Sequence, residues 1–138
     1  MSKKFVVSAS ISIALLLGSV VPVFAASSSF SNAYVDSNQW TYVTESTKTA
    51  TTKSYVSVNL SRIDTGGGNA SNYKYIRVNI KCGSNQASSS TNTKIEKGKT
   101  SNIDLAAKYN VKNYIFDLYA KGNDPSLDCI IYGSFDAN

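Results

Sequence analysis

Residues 53–82 read KSYVSVNLSRIDTGGGNASNYKYIRVNIKC, and this stretch decides the fold of the chain. In its first part, Val56, Val58 and Leu60 alternate with small polar residues. An alternation with a period of two is typical of a β-strand that is buried on one face and solvated on the other. The glycine-rich residues 64–72 indicate a turn, so the sequence predicts a hairpin whose second strand is Asn72–Cys82.

The second strand of this stretch is predicted to have one apolar and one polar face. The apolar face carries Ile76, Val78, Ile80 and Cys82. The polar face alternates aromatic rings with hydrogen-bond donors and carries Tyr73, Tyr75, Arg77, Asn79 and Lys81. Surfaces that bind carbohydrates or peptides often combine these residue types, so this face is the candidate binding site. The alternative is an ordinary solvated sheet face on which tyrosines pair across strands.

Strand-like segments also lie on both sides of this stretch. Gln39–Glu45 reads as a first strand, while Asn113–Lys121 and Ser126–Phe135, joined by GNDP, read as a second hairpin. Together these strands predict an all-β fold, a small two-layer antiparallel β-sandwich formed as a single domain by residues 39–138.

One segment of the chain has two interpretations. The motif TKIEKGKT ends in KGKT and predicts a short edge strand followed by a turn at Gly98. Ser101 and Asp104 have the spacing of a helix-capping box, which favours one short helical turn in the residues that follow. Ile103 and Leu105 alternate with polar neighbours, which favours another strand instead.

The N-terminal residues have the pattern of an export signal. Lys3 and Lys4 precede an apolar run that ends at the small residue Ala25. We therefore expect residues 1–25 to be a signal peptide, residues 26–38 to be a flexible arm, and the mature protein to be secreted without a membrane span. A retained membrane anchor is the alternative, because the apolar run is long enough to cross a bilayer.

Composition limits the classes of function. The 138 residues include no His, and the formal net charge of +5 falls to +3 once Lys3 and Lys4 leave with the signal peptide. Chemistry that depends on His is excluded, and a zinc site is not expected without His ligands. The modest charge argues against nucleic-acid binding. The sequence places no pair of carboxylates across a cleft, so neither an enzymatic activity nor a cofactor is predicted.

The chain contains two cysteines, Cys82 and Cys129, and both lie on the apolar faces of strand-like runs. In an oxidising compartment the simplest expectation is one disulfide bond between them. Closing the intervening loop would stabilise the fold by about 4 kcal/mol in the chain-entropy model. A pair of buried free thiols is the alternative.

Lysines are concentrated between residues 94 and 112. This cationic part of the sequence carries Lys94, Lys97, Lys99, Lys108 and Lys112. Such a cluster suits teichoic acid or anionic lipid headgroups, although Glu96 and Asp104 dilute its charge.

Three pieces of the chain resemble a known group of proteins. They are YVSVNLSRIDTGGG (Tyr55 to Gly68), IFDLYAKGND (Ile115 to Asp124) and IIYGSFDAN (Ile130 to Asn138). With the signal peptide and the Tyr-, Ser- and Asn-rich composition, the chain resembles an uncharacterised domain family of small secreted proteins from Gram-positive bacteria. The resemblance implies secretion and a β fold. It implies no catalytic residue, because that family has none assigned.

These observations lead to one expected function and two alternatives. We expect a secreted, non-enzymatic binding protein whose target is a cell-wall polymer, a glycan or an extracellular protein. The first alternative is a bacteriocin-like antimicrobial or signalling protein, which the export signal and the mild positive charge would suit. A small secreted hydrolase is the third class.

Overall fold

The computed structural model describes residues 27–66 and 73–137. The predicted signal peptide, residues 1–25, lies outside the described residues, as do residues 67–72 of the predicted glycine-rich turn. Within the two described ranges, no helix is long and apolar enough to cross a membrane.

The described part of the chain forms nine strands and one short 3-10 helix. The strands are β1 (Ser28–Val35), β2 (Thr41–Thr47), β3 (Tyr55–Asp64), β4 (Tyr75–Cys82), β5 (Asn85–Gln86), β6 (Thr93–Glu96), β7 (Lys99–Asp104), β8 (Ile115–Lys121) and β9 (Cys129–Asp136). The 3-10 helix is Ala107–Tyr109. Neighbouring strands pair in the antiparallel direction.

The strands form two sheets. Sheet I has the order β1-β9-β3-β7. Sheet II has the order β2-β8-β4, and both β5 and β6 pair with the edge of β4 that faces away from β8. The two sheets pack face to face around a single core. The all-β, two-layer antiparallel sandwich predicted from the sequence is therefore confirmed.

Alternate residues of the strands form the core between the sheets. Val56, Val58 and Leu60 of β3 have no exposed surface, as their alternation in the sequence predicted. The facing layer of sheet II contributes Ile76, Val78, Ile80, Ile95, Phe116 and Leu118. Burial of each large apolar side chain stabilises the fold by about 1.5–3 kcal/mol. These side chains fix which face of each sheet points inward and which points to solvent.

Both predicted hairpins are wrong. Strands β3 and β4 lie in different sheets, and so do β8 and β9. The end of β3 lies beside the start of β9, and the start of β4 lies beside the end of β8. Alternation identifies the buried face of a strand, but strands of both sheets bury that face in one core. Periodicity therefore does not identify the strand to which a given strand is hydrogen-bonded. Residues 122–128, which connect β8 to β9, are long enough to cross the roughly 10 Å between packed sheets.

The prediction of a flexible arm is also wrong over residues 28–35, which form β1 and pair with β9. Phe30 and Val35 are buried in the core. The register of this pairing shifts between Phe30 and Ala33, where Asn32 has a φ of 58°. Such a bulge breaks the regular alternation of side chains, so this serine-rich strand lacks the period of two that identified the others.

The segment that follows Gly98, for which the sequence favoured either a helical turn or a strand, contains both of these elements. β7 takes Lys99–Asp104 and buries Ile103, so the strand interpretation is confirmed there. The 3-10 helix follows at Ala107–Tyr109, and no described side chain caps its N-terminus. The helical turn exists, but the predicted capping box does not form it.

The predicted disulfide is wrong, since Cys82 and Cys129 are both free thiols. Cys129 begins β9 and lies beside the hydroxyl of Tyr73, which precedes β4. Cys82 is the last residue of the same β4. The length of that strand, about 25 Å, separates the two cysteines along the sandwich, whereas a disulfide requires Cα atoms within about 7 Å of each other.

Candidate functional site

The predicted binding face lies on the outside of sheet II. Strand β4 has β8 on one side and β6 on the other, so paired residues of the three strands form rows across the face. One row consists of three cations, because Arg77 pairs with Lys94 of β6 and with Lys121 of β8. Like charges at directly opposed positions destabilise a sheet. The row therefore has a cost in stability that an anion bound to it would reduce.

Tyrosine rings position the cations of this face. The guanidinium carbon of Arg77 lies 5.7 Å from the centre of the Tyr75 ring, and the ammonium nitrogen of Lys94 lies 4.4 Å from it. The ammonium nitrogen of Lys81 lies 4.6 Å from the centre of the Tyr119 ring. Such contacts contribute about 0.5–1 kcal/mol each at exposed sites. They orient the cations without removing them from solvent.

Two cations of the row have no carboxylate partner in residues 27–66 and 73–137. Lys94 forms an ion pair with Glu96 at 3.1 Å. Arg77 and Lys121 form no ion pair with any described carboxylate. Their charges are therefore available to an anion from outside the protein.

Tyr73 does not lie on the predicted face. Its side chain is only 2% exposed, and its hydroxyl oxygen accepts a 2.8 Å hydrogen bond from the backbone N–H of Asn123. Burial raises the pKa of the hydroxyl, and the thiol of Cys129 beside it adds to this shift. β4 begins only at Tyr75, so the alternation of that strand does not set the direction of Tyr73.

Asn79 is at the expected register position but is shielded from solvent. Its side chain is 6% exposed, and its Oδ1 accepts no hydrogen bond from the described residues. It pairs with Tyr119, whose ring packs edge to face against Tyr42 with ring centres 5.8 Å apart. The other three predicted residues on β4 remain partly exposed.

Two carboxylates meet on the same face, which the sequence did not predict. Asp117 of β8 pairs with Glu45 of β2 and with Lys81 of β4. Burial raises the pKa of Asp117, Glu45 adds to the shift and Lys81 opposes it. Glycoside hydrolysis requires two carboxyls on opposite sides of a bound sugar. Glu45 is exposed on an open face and is the direct neighbour of Asp117, so this pair does not have that arrangement. This end of the face carries mixed charge, so the cationic area is confined to the end near Arg77.

A groove of about 420 Å³ opens at the cationic end of the face. The groove lies where the turn between β1 and β2 meets the end of β8 and the first half of β4. The loop before β6 and the loop before β9 complete it. Its principal side chains are Asn38, Trp40, Arg77, Asn92, Lys121 and Asn123. No Asp or Glu side chain is among the described residues that line it. We refer to it below as the Trp40 groove.

The walls of the Trp40 groove are tied together by hydrogen bonds. The carboxylate of Asp36 accepts from the backbone N–H groups of Asn38 at 2.6 Å and Gln39 at 3.0 Å. The backbone N–H of Ser37 donates to Asp128 at 2.8 Å, which joins this turn to the loop before β9. The groove is therefore formed before any ligand arrives.

The sequence identified Arg77 but neither Trp40 nor Lys121 as a site residue. Lys121 reaches the site only through the pairing of β8 with β4, which the predicted hairpins did not include. Trp40 reaches it through the turn that crosses between the sheets. A single tryptophan in a polar turn was the signal that the sequence offered.

The lysines between residues 94 and 112 do not form one surface. Lys94 and Lys97 line a second groove of about 570 Å³, together with Glu96. Lys108 lies beyond the other end of β7, where its ammonium nitrogen is 4.9 Å from the centre of the Tyr109 ring. These lysines therefore do not form one continuous cationic patch.

No cluster of three or more His, Cys, Asp or Glu side chains suited to a metal ion occurs among the described residues. Comparison of the chain with protein-family models, with curated proteins and with solved structures finds no match.

Proposed function

We propose that the mature chain is a secreted, non-enzymatic binding protein that uses the outer face of sheet II. Its target is a cell-wall polymer, a glycan or another extracellular protein. The observation that carries this proposal is the row of Lys94, Arg77 and Lys121 on three adjacent strands. An anionic target would reduce the repulsion within the row as it binds.

The tyrosines of the face support the same function. Tyr75 and Tyr119 each stack with a cation of the face, and Tyr42 is 49% exposed beside Tyr119. Tyrosine and arginine are enriched in binding surfaces, because each offers a large contact area together with hydrogen-bond donors.

The experiment is co-sedimentation of residues 26–138 with Gram-positive cell walls at low and high salt. We expect Arg77→Gln to weaken binding about tenfold, the loss of one charge-assisted contact. The matched control is Arg62→Gln on sheet I, because Arg62 also stacks on a tyrosine, with its guanidinium carbon 3.9 Å from the ring centre of Tyr132. Equal weakening by both variants would show a general attraction of charge and would count against a specific face.

A second candidate function is the bacteriocin-like activity, favoured by an exposed apolar tip between β7 and β8. Val111, Tyr114 and Ile115 are 39%, 38% and 49% exposed there, and Lys108 and Lys112 flank them. Apolar side chains beside lysines suit the surface of an anionic membrane. In this case the protein should depolarise sensitive cells, and Val111→Asp with Ile115→Asp should abolish the effect.

A further inference from the structure

We propose that the Trp40 groove binds an acidic sugar, that is, a sugar that carries a carboxylate or a phosphate group. This inference rests on the proposed function, since it specifies the ligand of the same face.

The tryptophan supplies a surface for the sugar ring. Trp40 is 37% exposed at the groove, immediately before β2 begins. An exposed indole offers a flat apolar surface, on which the C–H groups of a sugar ring can pack. An indole placed beside polar side chains therefore suits a ligand that is polar at its rim and apolar on its ring face.

The two cations supply the selectivity for an acid. Arg77 and Lys121 are paired residues of adjacent strands, so their side chains leave the sheet at neighbouring positions. A guanidinium binds a carboxylate or a phosphate through two parallel hydrogen bonds, and a nearby ammonium adds a further donor. The described lining of the groove contains no carboxylate that would compete with the ligand for these donors.

Three amide side chains supply partners for hydroxyl groups. Asn38, Asn92 and Asn123 line the groove, and an amide can both donate to a sugar hydroxyl and accept from it. The amide nitrogen of Asn38 donates to the hydroxyl of Ser37 at 3.1 Å and to the carbonyl of Pro125 at 3.2 Å, which fixes the amide plane. Because these two bonds use both N–H groups, Asn38 offers its Oδ1 to a sugar hydroxyl. A fixed amide loses less conformational entropy when a ligand binds.

The size of the groove suits a short saccharide. Its volume of about 420 Å³ lies within the usual range for small-molecule sites, about 300–1,000 Å³. The turn that carries Trp40 is tied to the loop before β9 through Ser37 and Asp128. The groove thus combines a stacking surface, a paired cationic donor set and fixed amides at one place.

The intrinsic fluorescence of Trp40 provides the measurement, because it is the only tryptophan of the chain. Residues 26–138 are titrated with a galacturonic acid trimer and with glucose 6-phosphate, which separate the carboxylate and phosphate sources. The controls are a neutral galactose trimer and polyglutamate. We expect a saturable fluorescence change with at least one acidic saccharide and at least about tenfold weaker binding of both controls.

Variants connect the signal to the groove. We expect Lys121→Gln to weaken binding of the acidic saccharide about tenfold, the loss of one charge-assisted contact. Lys53→Gln removes the same charge from an exposed lysine that stacks on Tyr55 of sheet I, outside the binding face, and it should leave the affinity unchanged. Thermal unfolding of both variants confirms that they fold.

Two results would overturn the inference: equal affinity for the neutral trimer or for polyglutamate, or no fluorescence change with any acidic saccharide. The failure of the broader proposal is distinguishable from these. If wild-type protein binds cell walls, Arg77→Gln weakens that binding, and no acidic saccharide binds, the face binds its target but the groove is not a saccharide site. If wild-type protein binds neither walls nor any saccharide, both proposals are rejected.

Discussion

The ammonium nitrogen of Lys48 donates a hydrogen bond of 3.2 Å to the carbonyl oxygen of Ala137. A second hydrogen bond of 2.8 Å connects the same nitrogen to the carbonyl oxygen of Lys53. Lys48 has no exposed surface, although lysine is seldom fully buried. One side chain thus connects the end of β2, the loop before β3 and the residues after β9.

We expect Lys48→Ala to lower the free energy of unfolding by about 2–4 kcal/mol. The substitution leaves a cavity and two carbonyl oxygens without their donor. Urea unfolding at neutral pH measures the effect, and Lys112→Ala is the matched control because Lys112 is exposed. A loss below about 0.5 kcal/mol, as expected for the control, would contradict the structural role of Lys48.

The stability contributed by Lys48 should also depend on pH. Burial lowers the pKa of its amine from the usual 10.5, Asp136 opposes the shift and Lys53 adds to it. Between the lowered value and 10.5 the unfolded chain binds more protons than the folded chain, so stability rises with pH in that window. We expect the stability of wild-type protein relative to Lys48→Met to increase between neutral pH and about pH 10. An unchanged difference would show that the amine titrates normally in the folded chain.

The two thiols should react as unbonded cysteines of different accessibility. Burial raises the pKa of both thiols, and that of Cys129 reaches about 11. Because the thiolate is the reactive form, we expect an aromatic disulfide reagent to modify Cys82 first and Cys129 only after unfolding. Cys82→Ser should abolish the faster phase. An unfolded chain without reactive thiols, lighter by two hydrogens, would instead show a disulfide.

Gly133 of β9 should not tolerate a side chain. A Cβ atom there would lie 1.9 Å from the carbonyl oxygen of Asn59 and 2.7 Å from the Phe30 ring. Since both neighbours belong to paired strands, we expect Gly133→Ala to cost about 1–3 kcal/mol or more in urea unfolding. Ser134→Ala, at the next and partly exposed position, should change stability by less than about 0.5 kcal/mol. Equal stabilities would mean that β1 and β3 approach β9 less closely.

The local features of the fold could be predicted from the sequence, whereas the pairing of its strands could not. Alternation correctly gave the buried faces of β3 and β4, because a buried sheet face selects apolar residues at every second position. Strand pairing depends on contacts between residues that are far apart in the sequence. The strands of both sheets bury an apolar face in the same core, so their sequence patterns do not show which strands pair. The bulge at Asn32 and the buried Lys48 also break the rules that sequence patterns rely on.

The residues of the candidate site could also be predicted only in part. Tyr75, Arg77 and Lys81 lie on one strand, so alternation alone placed them on one face. Trp40 and Lys121 come from sequence positions far from β4. The turn that crosses between the sheets brings Trp40 beside Arg77, and the pairing of β8 with β4 brings Lys121 there. A site assembled from several strands and turns has no local sequence pattern of its own.

Substitutions of Tyr73 and Tyr75 should distinguish a tyrosine that stabilises the fold, Tyr73, from one that contributes to binding, Tyr75. Tyr73→Phe removes the buried hydroxyl that accepts from the backbone N–H of Asn123, so we expect a loss of about 1–3 kcal/mol in the free energy of unfolding. Cell-wall binding by the folded variant should be unchanged. Tyr75→Ala should do the reverse, because its partly exposed ring positions Arg77 and Lys94. If Tyr73→Phe weakened binding without changing stability, the hydroxyl would have to reach the ligand, and the buried position of Tyr73 would be wrong.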